Sequence, residues 1–230
     1  MKAVILAAGK GTRMGDLSLE TPKPMLKVLG KTLLEHKLES LPDAIDEVVI
    51  TVGYLKDRIV DVLGSEYNGR KIIYVEQTEL LGTAHALWQC KDVLQNEEKF
   101  LVMMGDDIYS GSDMEECLTN AWSILIRETD SIKGKAKVCF DSDGHITEIL
   151  EKYPKEERGF ICSGMYGLTP SIFDYEMVAI PGGEFGLPQT ILSAKNDIKI
   201  KAIQSRFWLQ ITAPEDLAMA EQFFEIEKAK

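Results

Sequence analysis

The chain has 230 residues, which suits one well-buried α/β domain and is too short for two enzymatic domains of ordinary size. With 45% apolar and 27% charged residues, the composition excludes a disordered chain. The formal net charge of −11 argues against nucleic acid or an anionic membrane as a partner, because both attract basic surfaces. No stretch approaches the roughly 20 apolar residues of a membrane helix. The four cysteines are scattered without a CxxC pair, so we expect a soluble, cytoplasmic protein, and formation of a homo-oligomer is left open.

Strand and helix patterns alternate through the first half of the chain. Buried-type strands are predicted at 2–6, 48–54, 71–77 and 100–107. Amphipathic helices are predicted at 32–41, 55–63 and 82–94. Alternating βα units indicate a Rossmann-like, three-layer α/β/α sandwich around a mostly parallel, mixed sheet with right-handed crossovers.

The rhythm changes in the second half, which we expect to be more antiparallel. A helix is predicted near Met114 to Arg127, followed by two strands within 136–150 that meet at a turn around Asp143 and Gly144. The remaining predictions are a strand at 159–168, a helix at 187–195, a strand at 198–203 and a closing helix at 213–229. Since no linker or repeat divides the chain, we expect one domain over 1–230.

A glycine-rich loop follows the first strand in the string AAGKGTR. Gly9 and Gly11 allow backbone amides to approach a ligand, and Arg13 can contact phosphate oxygens with a fork of donors. Met14 occupies the position of the third glycine of a dinucleotide motif, and a Walker loop is not matched either. Taken alone, the loop is explained equally well by a phosphate cradle and by a structural turn.

Two further segments could carry chemistry. In TPKPML, two prolines restrict the backbone around Lys23, which suits either a fixed positive charge or a solvated surface turn. Asp106 and Asp107 end a buried strand, at the edge where ligands of open α/β sheets collect. His36, His85 and His145 have no triad-like context, so we expect structural or surface roles for them.

Together these strings resemble the sugar-phosphate nucleotidyltransferase family. The resemblance rests on LAAGKGTRM, TPKPMLKVLGKTLLEH, VEQTELLGTAHAL, MMGDD, LEK, SGMYGLTPSIF, GGEFGLP and WLQITAPEDL, which span nearly the whole chain. It is strongest to the short glucose 1-phosphate and mannose 1-phosphate enzymes. It implies the nucleotide-diphospho-sugar transferase fold, with a nucleotide-binding half over 1–110 and a sugar-phosphate-binding half over 111–230.

The resemblance also implies roles for individual residues. The nucleotide would be bound by Leu6, Ala7, Ala8, Gly9, Gly11, Thr12, Arg13, Lys23, Gln77, Gly82 and Thr83. Arg13 would hold the β and γ phosphates and Lys23 the α phosphate, while Gln77 and the Gly82 backbone would read the base. The sugar phosphate would be bound by Asp106, Glu151, Lys152, Gly164, Tyr166 and Glu184. The catalytic set would be Arg13, Lys23, Asp106 and Lys152, with Mg²⁺ on Asp106.

One departure from the family pattern concerns the metal site. Where relatives carry a second metal-binding Asp in W-x-D-I-G-T, this chain reads WLQIT and has Gln210. A neutral amide should weaken Mg²⁺ binding, since hard cations select charged oxygen ligands. Asp106 would then act alone, with Asp107, or with Gln210 itself. Compensation by Asp216 is an alternative, although a charge at a helix start explains that residue better.

Three functional hypotheses follow. The leading one is transfer of a nucleotidyl group to a sugar 1-phosphate. One amide at Gln77 cannot name the base, but the resemblance in the EQ…LGTA region favours UTP or dTTP as donor, with GTP or CTP as alternatives. The second is a non-catalytic regulatory protein that binds a nucleotide or nucleotide sugar through a degraded metal site. The third is a cytidylyltransferase acting on a phosphorylated alcohol.

Overall fold

The structure is a computed structural model that describes residues 1–11 and 20–228. Its strands are β1 Lys2–Leu6, β2 Lys27–Val28, β3 Lys31–Thr32, β4 Glu47–Val52, β5 Glu66–Tyr67, β6 Arg70–Glu76, β7 Phe100–Met104, β8 Asp107–Tyr109, β9 Trp122–Thr129, β10 Lys137–Phe140, β11 Ile146–Leu150, β12 Gly159–Leu168, β13 Ala179–Ile180, β14 Glu184–Phe185, β15 Ile200–Gln204 and β16 Trp208–Gln210. Its α-helices are α1 Leu33–Ser40, α2 Lys56–Leu63, α3 Thr83–Trp88, α4 Lys91–Leu94, α5 Gly111–Leu118, α6 Leu187–Ser193 and α7 Pro214–Lys228. Short 3₁₀ helices span Lys23–Met25 and Pro170–Asp174.

The centre of the main sheet is parallel. Strands β7, β1, β4 and β6 lie side by side in that order, and all three pairings between them are parallel. Leu6, at the end of β1, is in register with Thr51 on one side and Met104 on the other. The carboxyl ends of these strands therefore meet at one edge, as the alternating βα pattern predicts.

The second half of the chain extends this sheet with antiparallel pairings. Strand β12 runs antiparallel to β7, β9 and β10, and β11 follows β10 at the sheet edge. Strand β15 pairs in parallel with β9. The predicted mixed sheet with a parallel centre is confirmed.

The helix predicted near Met114 to Arg127 is wrong over its second part. Helix α5 ends at Leu118, and Trp122–Thr129 forms strand β9 between β12 and β15. Periodicity misleads here because both faces of β9 are buried, and a continuous apolar run reads as either a buried helix or a buried strand. The helix predicted at 82–94 is also divided, into α3 and α4, by a turn at Gln89 and Cys90.

Helices cover both faces of the sheet. Along β1, Ala3 and Ile5 pack with helices α1, α2 and α5, whereas Val4 and Leu6 pack with α3, α4 and α6. Side chains alternate between the two faces of a strand, so a strand that is apolar throughout can feed two cores. The three-layer α/β/α arrangement is thus confirmed. No helix in the described ranges combines the length and apolar character that crossing a membrane requires.

Within the described residues, side chains of the protein cap the starts of α1 and α7. Thr32 accepts a hydrogen bond from the Glu35 amide at 3.1 Å, and Glu35 accepts one from the Thr32 amide at 2.7 Å, which forms a capping box on α1. At α7, the Asp216 carboxylate accepts bonds from the amides of Thr212 at 2.6 Å and Ala213 at 2.9 Å. The helix-start role expected for Asp216 matches this geometry.

Candidate functional site

A cleft of about 570 Å³ opens at the carboxyl ends of β1, β6 and β7. It is lined by Leu6, Ala7, Ala8, Gly9, Lys10, Gly11, Lys23, Pro24, Gln77, Leu80, Gly82, Thr83, Ala86, Met104, Asp106 and Glu184. Most of the residues predicted to bind the nucleotide are therefore brought together, along with two of those predicted to bind the sugar phosphate. Its size is within the range of small-molecule sites, which span roughly 300 to 1,000 Å³.

The glycine-rich loop forms one wall of the cleft and is fixed by backbone hydrogen bonds. The Ala7 amide donates to Thr51 O at 3.1 Å, and Ala8 O accepts from the Tyr54 amide at 3.1 Å. Gly11 has a φ of +63°, and a Cβ there would lie 3.0 Å from Lys23 Cβ. The loop thus packs closely against Lys23. Thr12 and Arg13, which were predicted to bind phosphate, lie outside the described residues.

A partly buried ion pair forms the floor of the cleft. Lys23 lies in the 3₁₀ helix that begins after Pro22, and only 6% of its surface is exposed. Its Nζ lies 2.5 Å from Asp106 Oδ2, in the loop after β7. The Asp106 side chain remains 33% exposed, so one face of the carboxylate is open to a ligand. The two segments that the sequence singled out for charge therefore meet at one point.

The opposite wall joins the loop before α3 to the short strand β14. Gly82 has a φ of +94°, a conformation that glycine adopts most easily, and a Cβ there would lie 2.5 Å from Phe185 O. The Phe185 amide donates to Leu81 O at 2.8 Å, and the Leu187 amide donates to Thr83 Oγ1 at 3.0 Å. These contacts hold Glu184 on the cleft wall, close to the loop that carries Gly82.

Asp107 differs from Asp106 in its environment. It is 3% exposed, and its Oδ2 accepts from Trp208 Nε1 at 3.1 Å and from the Tyr109 hydroxyl at 3.4 Å. Its Oδ1 has no hydrogen-bond partner among the residues that the structure describes. Burial raises the pKa of Asp107, the neighbouring Asp106 raises it further, and Lys37 opposes both. Asp107 does not line the cleft, in contrast to its neighbour.

Lys37 lies beneath the strand tip and was missed by the sequence analysis. It projects from α1, is 4% exposed, and its Nζ donates to the Asp107 carbonyl. Burial lowers its pKa, while the charges of Asp107 and Asp106 act in the opposite direction. A signal was present in the sequence, because Lys37 follows Leu33 by four residues and Leu34 by three, and so falls on the apolar face of the helix.

Gln210, the departure from the family pattern, lies next to the metal site that the resemblance implies. Strand β16 runs antiparallel to β8, and Gln210 is in register with Asp107. Its backbone is therefore one residue removed from Asp106, although Gln210 does not line the cleft. Oδ2 of Asp216 accepts hydrogen bonds from the Thr212 amide, the Thr212 hydroxyl and the Ala213 amide.

The other residues predicted for the sugar phosphate lie outside the cleft lining. Glu151 and Lys152 are exposed after β11, Glu151 accepts a hydrogen bond from Gln189, and Lys152 has a φ of +48°. Gly164 packs against Met104, because a Cβ there would lie 2.7 Å from Met104 Cγ. Tyr166 is 2% exposed, with its hydroxyl 3.5 Å from Cys162 Sγ.

Several lining residues were not predicted from the sequence. They are Lys10, Pro24, Leu80, Ala86 and Met104. Lys10 and Pro24 could have been included, since they are neighbours in sequence of predicted residues. Leu80, Ala86 and Met104 supply an apolar surface from a loop, from helix α3 and from the end of β7, so its position depends on tertiary packing and no local pattern marks them.

Comparison with known proteins identifies similar sequences. A family model described as Nucleotidyl transferase matches residues 2–225. The chain is 35% identical to the UTP–glucose-1-phosphate uridylyltransferase AglF of Haloferax volcanii, over 99% of this chain and 98% of that protein. It is 33% identical to the bifunctional protein GlmU of Methanocaldococcus jannaschii over 97% of this chain, and it spans only 54% of that longer relative.

A solved structure shows the same fold. The structure of a putative glucose-1-phosphate thymidylyltransferase from Bacillus anthracis superimposes with a TM-score of 0.84, covering 97% of this chain and 94% of that one. The sequences are 23% identical, so this similarity bears on the fold alone.

Proposed function

This chain belongs to the nucleotidyl transferase family, and we propose that it transfers a nucleotidyl group from a nucleoside triphosphate to a sugar 1-phosphate, with release of pyrophosphate. UTP or dTTP is the favoured donor, before GTP or CTP, and glucose 1-phosphate is the first acceptor to test, because the relative AglF is named for UTP and glucose 1-phosphate. The observation that carries the proposal is the Lys23–Asp106 pair on the floor of a cleft between a glycine-rich loop and Glu184. The cytoplasm, where nucleoside triphosphates are made, is the proposed compartment.

The proposed reaction requires charge compensation more than covalent chemistry. A sugar phosphate oxygen attacks the α-phosphorus in line, and the reactants must be aligned while their negative charges are neutralised. Lys23, held rigidly by its burial and by the flanking prolines, would pair with the α phosphate. Arg13 would pair with the β and γ phosphates. Pyrophosphate then leaves without a covalent enzyme intermediate.

The half of the chain over 1–110 would hold the nucleotide, and the half over 111–230 would hold the acceptor. Backbone groups from Leu6 to Gly11 would contact the nucleoside and phosphates, and Gln77 with Gly82 would face the base. On the acceptor side, Glu184 would accept bonds from sugar hydroxyls. Lys152 and Glu151 would complete that half from the exposed turn after β11.

The donor atoms near Asp106 fit Mg²⁺. A partly exposed carboxylate faces the cleft, and the amide of Gln210 belongs to the neighbouring strand. These are oxygen ligands, and Mg²⁺ is commonly held by one or two carboxylates together with substrate phosphates. When bound, the ion would supply positive charge to the phosphates of the donor and to the leaving pyrophosphate.

The neutral Gln210 is the one observation that favours the alternative of a binding protein without turnover. The relatives that are named for an activity are transferases, which supports the enzyme. A cytidylyltransferase that acts on a phosphorylated alcohol would share the cleft but would prefer CTP.

A substrate panel tests these alternatives. Purified protein with Mg²⁺ is given UTP, dTTP, GTP or CTP, each with glucose 1-phosphate, mannose 1-phosphate or phosphocholine, and pyrophosphate release is measured. We expect the fastest release with UTP or dTTP and a sugar 1-phosphate. Preference for CTP with phosphocholine would support the third hypothesis. Tight nucleotide binding by calorimetry without any turnover would support the binding protein.

A further inference from the structure

The side-chain amide of Gln77 is held from behind by two groups. Gln77 is 5% exposed and lines the cleft. Its Nε2 donates to Gly82 O at 3.1 Å and lies 3.1 Å from Nδ1 of His85, in helix α3. His85 does not line the cleft, so it is not placed to contact a substrate. It is also half-buried, so it is not a plain surface residue.

Chemistry fixes which end of the amide faces Gly82. A backbone carbonyl can only accept, so the nitrogen of the Gln77 amide must be the atom that faces it. That nitrogen carries two hydrogens, and the second is directed at His85 Nδ1. Nδ1 must then accept, which requires the ring tautomer with its proton on Nε2. The structure places the amide nitrogen of Gln89 3.2 Å from His85 Nε2 and 3.4 Å from the His85 carbonyl oxygen, and turning this amide over presents its oxygen to the Nε2 proton in place of these contacts.

Both hydrogens of the Gln77 amide are thereby used inside the protein. Only Oε1 remains to interact with a ligand in the cleft, and an oxygen of this kind accepts but does not donate. A base in contact with it must offer an N–H group. Uracil and thymine carry a hydrogen on ring N3 and guanine carries one on N1, whereas N3 of cytosine is an acceptor.

We infer that His85 is a positioning residue, which orients the Gln77 amide so that its oxygen faces the base and the cleft selects bases with a protonated ring nitrogen over cytosine. The inference rests on the proposed function, in which Gln77 faces the base. Gly82 alone leaves one hydrogen of the amide unassigned, and a rotated amide could present it to cytosine N3. His85 removes that option.

Substitution of His85 tests the inference through the choice of nucleotide. His85→Leu keeps the bulk of the side chain but removes the acceptor, and His85→Asn keeps an acceptor oxygen near the position of Nδ1. For each, kcat and KM are measured with UTP and with CTP at saturating glucose 1-phosphate. We expect His85→Leu to raise KM for UTP and to reduce the UTP to CTP ratio of kcat/KM by about tenfold, the effect of one hydrogen bond, with little change in kcat at saturation. His85→Asn should restore most of the ratio.

Equal losses for both nucleotides, an unchanged ratio in His85→Leu, or the same ratio in the Leu and Asn variants would overturn the inference. A measurement on the unsubstituted protein covers the case in which the variants do not fold. The ¹⁵N chemical shifts of the His85 ring should report the neutral form with the proton on Nε2, and a proton on Nδ1 would overturn the inference directly. This readout needs no turnover, so it separates failure of the positioning role from failure of the proposed reaction.

Discussion

Gly82 offers the sharpest test of how the two walls of the cleft are joined. In Gly82→Ala, the new Cβ would lie 2.5 Å from Phe185 O, 2.8 Å from Phe185 N and 2.9 Å from Glu184 Cβ. Two of these atoms belong to backbone, so rotation of a side chain cannot relieve the contact. The β14 strand must move by about an ångström to restore an ordinary van der Waals distance.

The size of the effect has two parts. The backbone at Gly82 has φ +94° and ψ −179°, a region that is essentially restricted to glycine and costs other residues about 1–3 kcal/mol. Crowding against Phe185 adds about 1–3 kcal/mol. A total near 4 kcal/mol, the centre of the summed range, corresponds to a Tm lower by about 8–16 °C for a chain of this length. Displacement of Glu184 should also reduce kcat/KM by about 100-fold.

Gly69 provides the matched control. It lies in the turn between β5 and β6, has a φ of +79°, and a Cβ there would meet nothing within 4 Å. Gly69→Ala therefore carries backbone strain without crowding, and we expect a loss of about 1–2 kcal/mol with unchanged kcat/KM. Thermal unfolding by circular dichroism and pyrophosphate release are measured on both variants. Equal Tm losses and equal rates in the two variants would refute the reasoning that β14 and the Gly82 loop are mechanically joined.

Three further predictions concern the charged groups. If the Asp106 carboxylate holds the metal, Asp106→Asn should reduce kcat by about 100-fold or more with little loss of fold. The control is Asp143→Asn, at an exposed position, and equal rates in the two variants would contradict a metal-binding role for Asp106. The hydrogen bonds from Thr212 and Ala213 outweigh burial and hold the pKa of Asp216 below its ordinary value, so its contribution to stability is present above about pH 4 and is lost as the pH falls through its lowered pKa. Asp216→Asn should therefore lower the free energy of unfolding at neutral pH by about 1 kcal/mol, measured as a lower Tm, and the difference from the unsubstituted protein should shrink as the pH falls through the lowered pKa of Asp216. A difference that stays constant down into acid would show that the carboxylate charge is not its source. Gln210→Asp should lower the Mg²⁺ concentration for half-maximal rate by about tenfold, and a higher requirement would contradict a place for residue 210 near the metal.

The parallel centre of the sheet could be predicted from sequence because its strands are short apolar runs separated by amphipathic helices. Strand β9 could not, since its first five residues, 122–126, are buried on both faces and their pattern carries no period that distinguishes strand from helix. Its identity is decided by pairing with β12 and β15, which are 30 residues or more away along the chain. Tertiary pairing thus overrides a local pattern at this point.

The residues of the candidate site also fall into those marked by a local pattern and those that depend on tertiary packing. Gly11, Lys23 and Asp106 could be found because turn residues, prolines and a strand end mark them locally. The bond between Gln77 and His85 could not be found, because it depends on how the loop at Gly82 folds back between them. The sequence predicted a structural or surface role for His85, because no catalytic partner lies near it in the sequence. Its actual partner is the side-chain amide of Gln77, and no sequence motif marks a hydrogen bond of that kind.

The charges at the end of β7 suggest why nucleotide and metal binding should depend on each other. In the structure Lys23 is paired with Asp106 at 2.5 Å, and both ions are at least partly removed from water. A phosphate can recruit Lys23 only if this pair is broken, which would leave Asp106 without a counter-charge next to the raised-pKa carboxyl of Asp107. A cation on Asp106 removes that penalty, so the unsubstituted protein should bind UTP weakly in the absence of Mg²⁺.

In Asp106→Asn the amide releases Lys23 without any metal, and calorimetry should therefore find tighter Mg²⁺-free UTP binding in the variant that has lost turnover. Weaker Mg²⁺-free binding by that variant would show that Lys23 and Asp106 do not compete in this way.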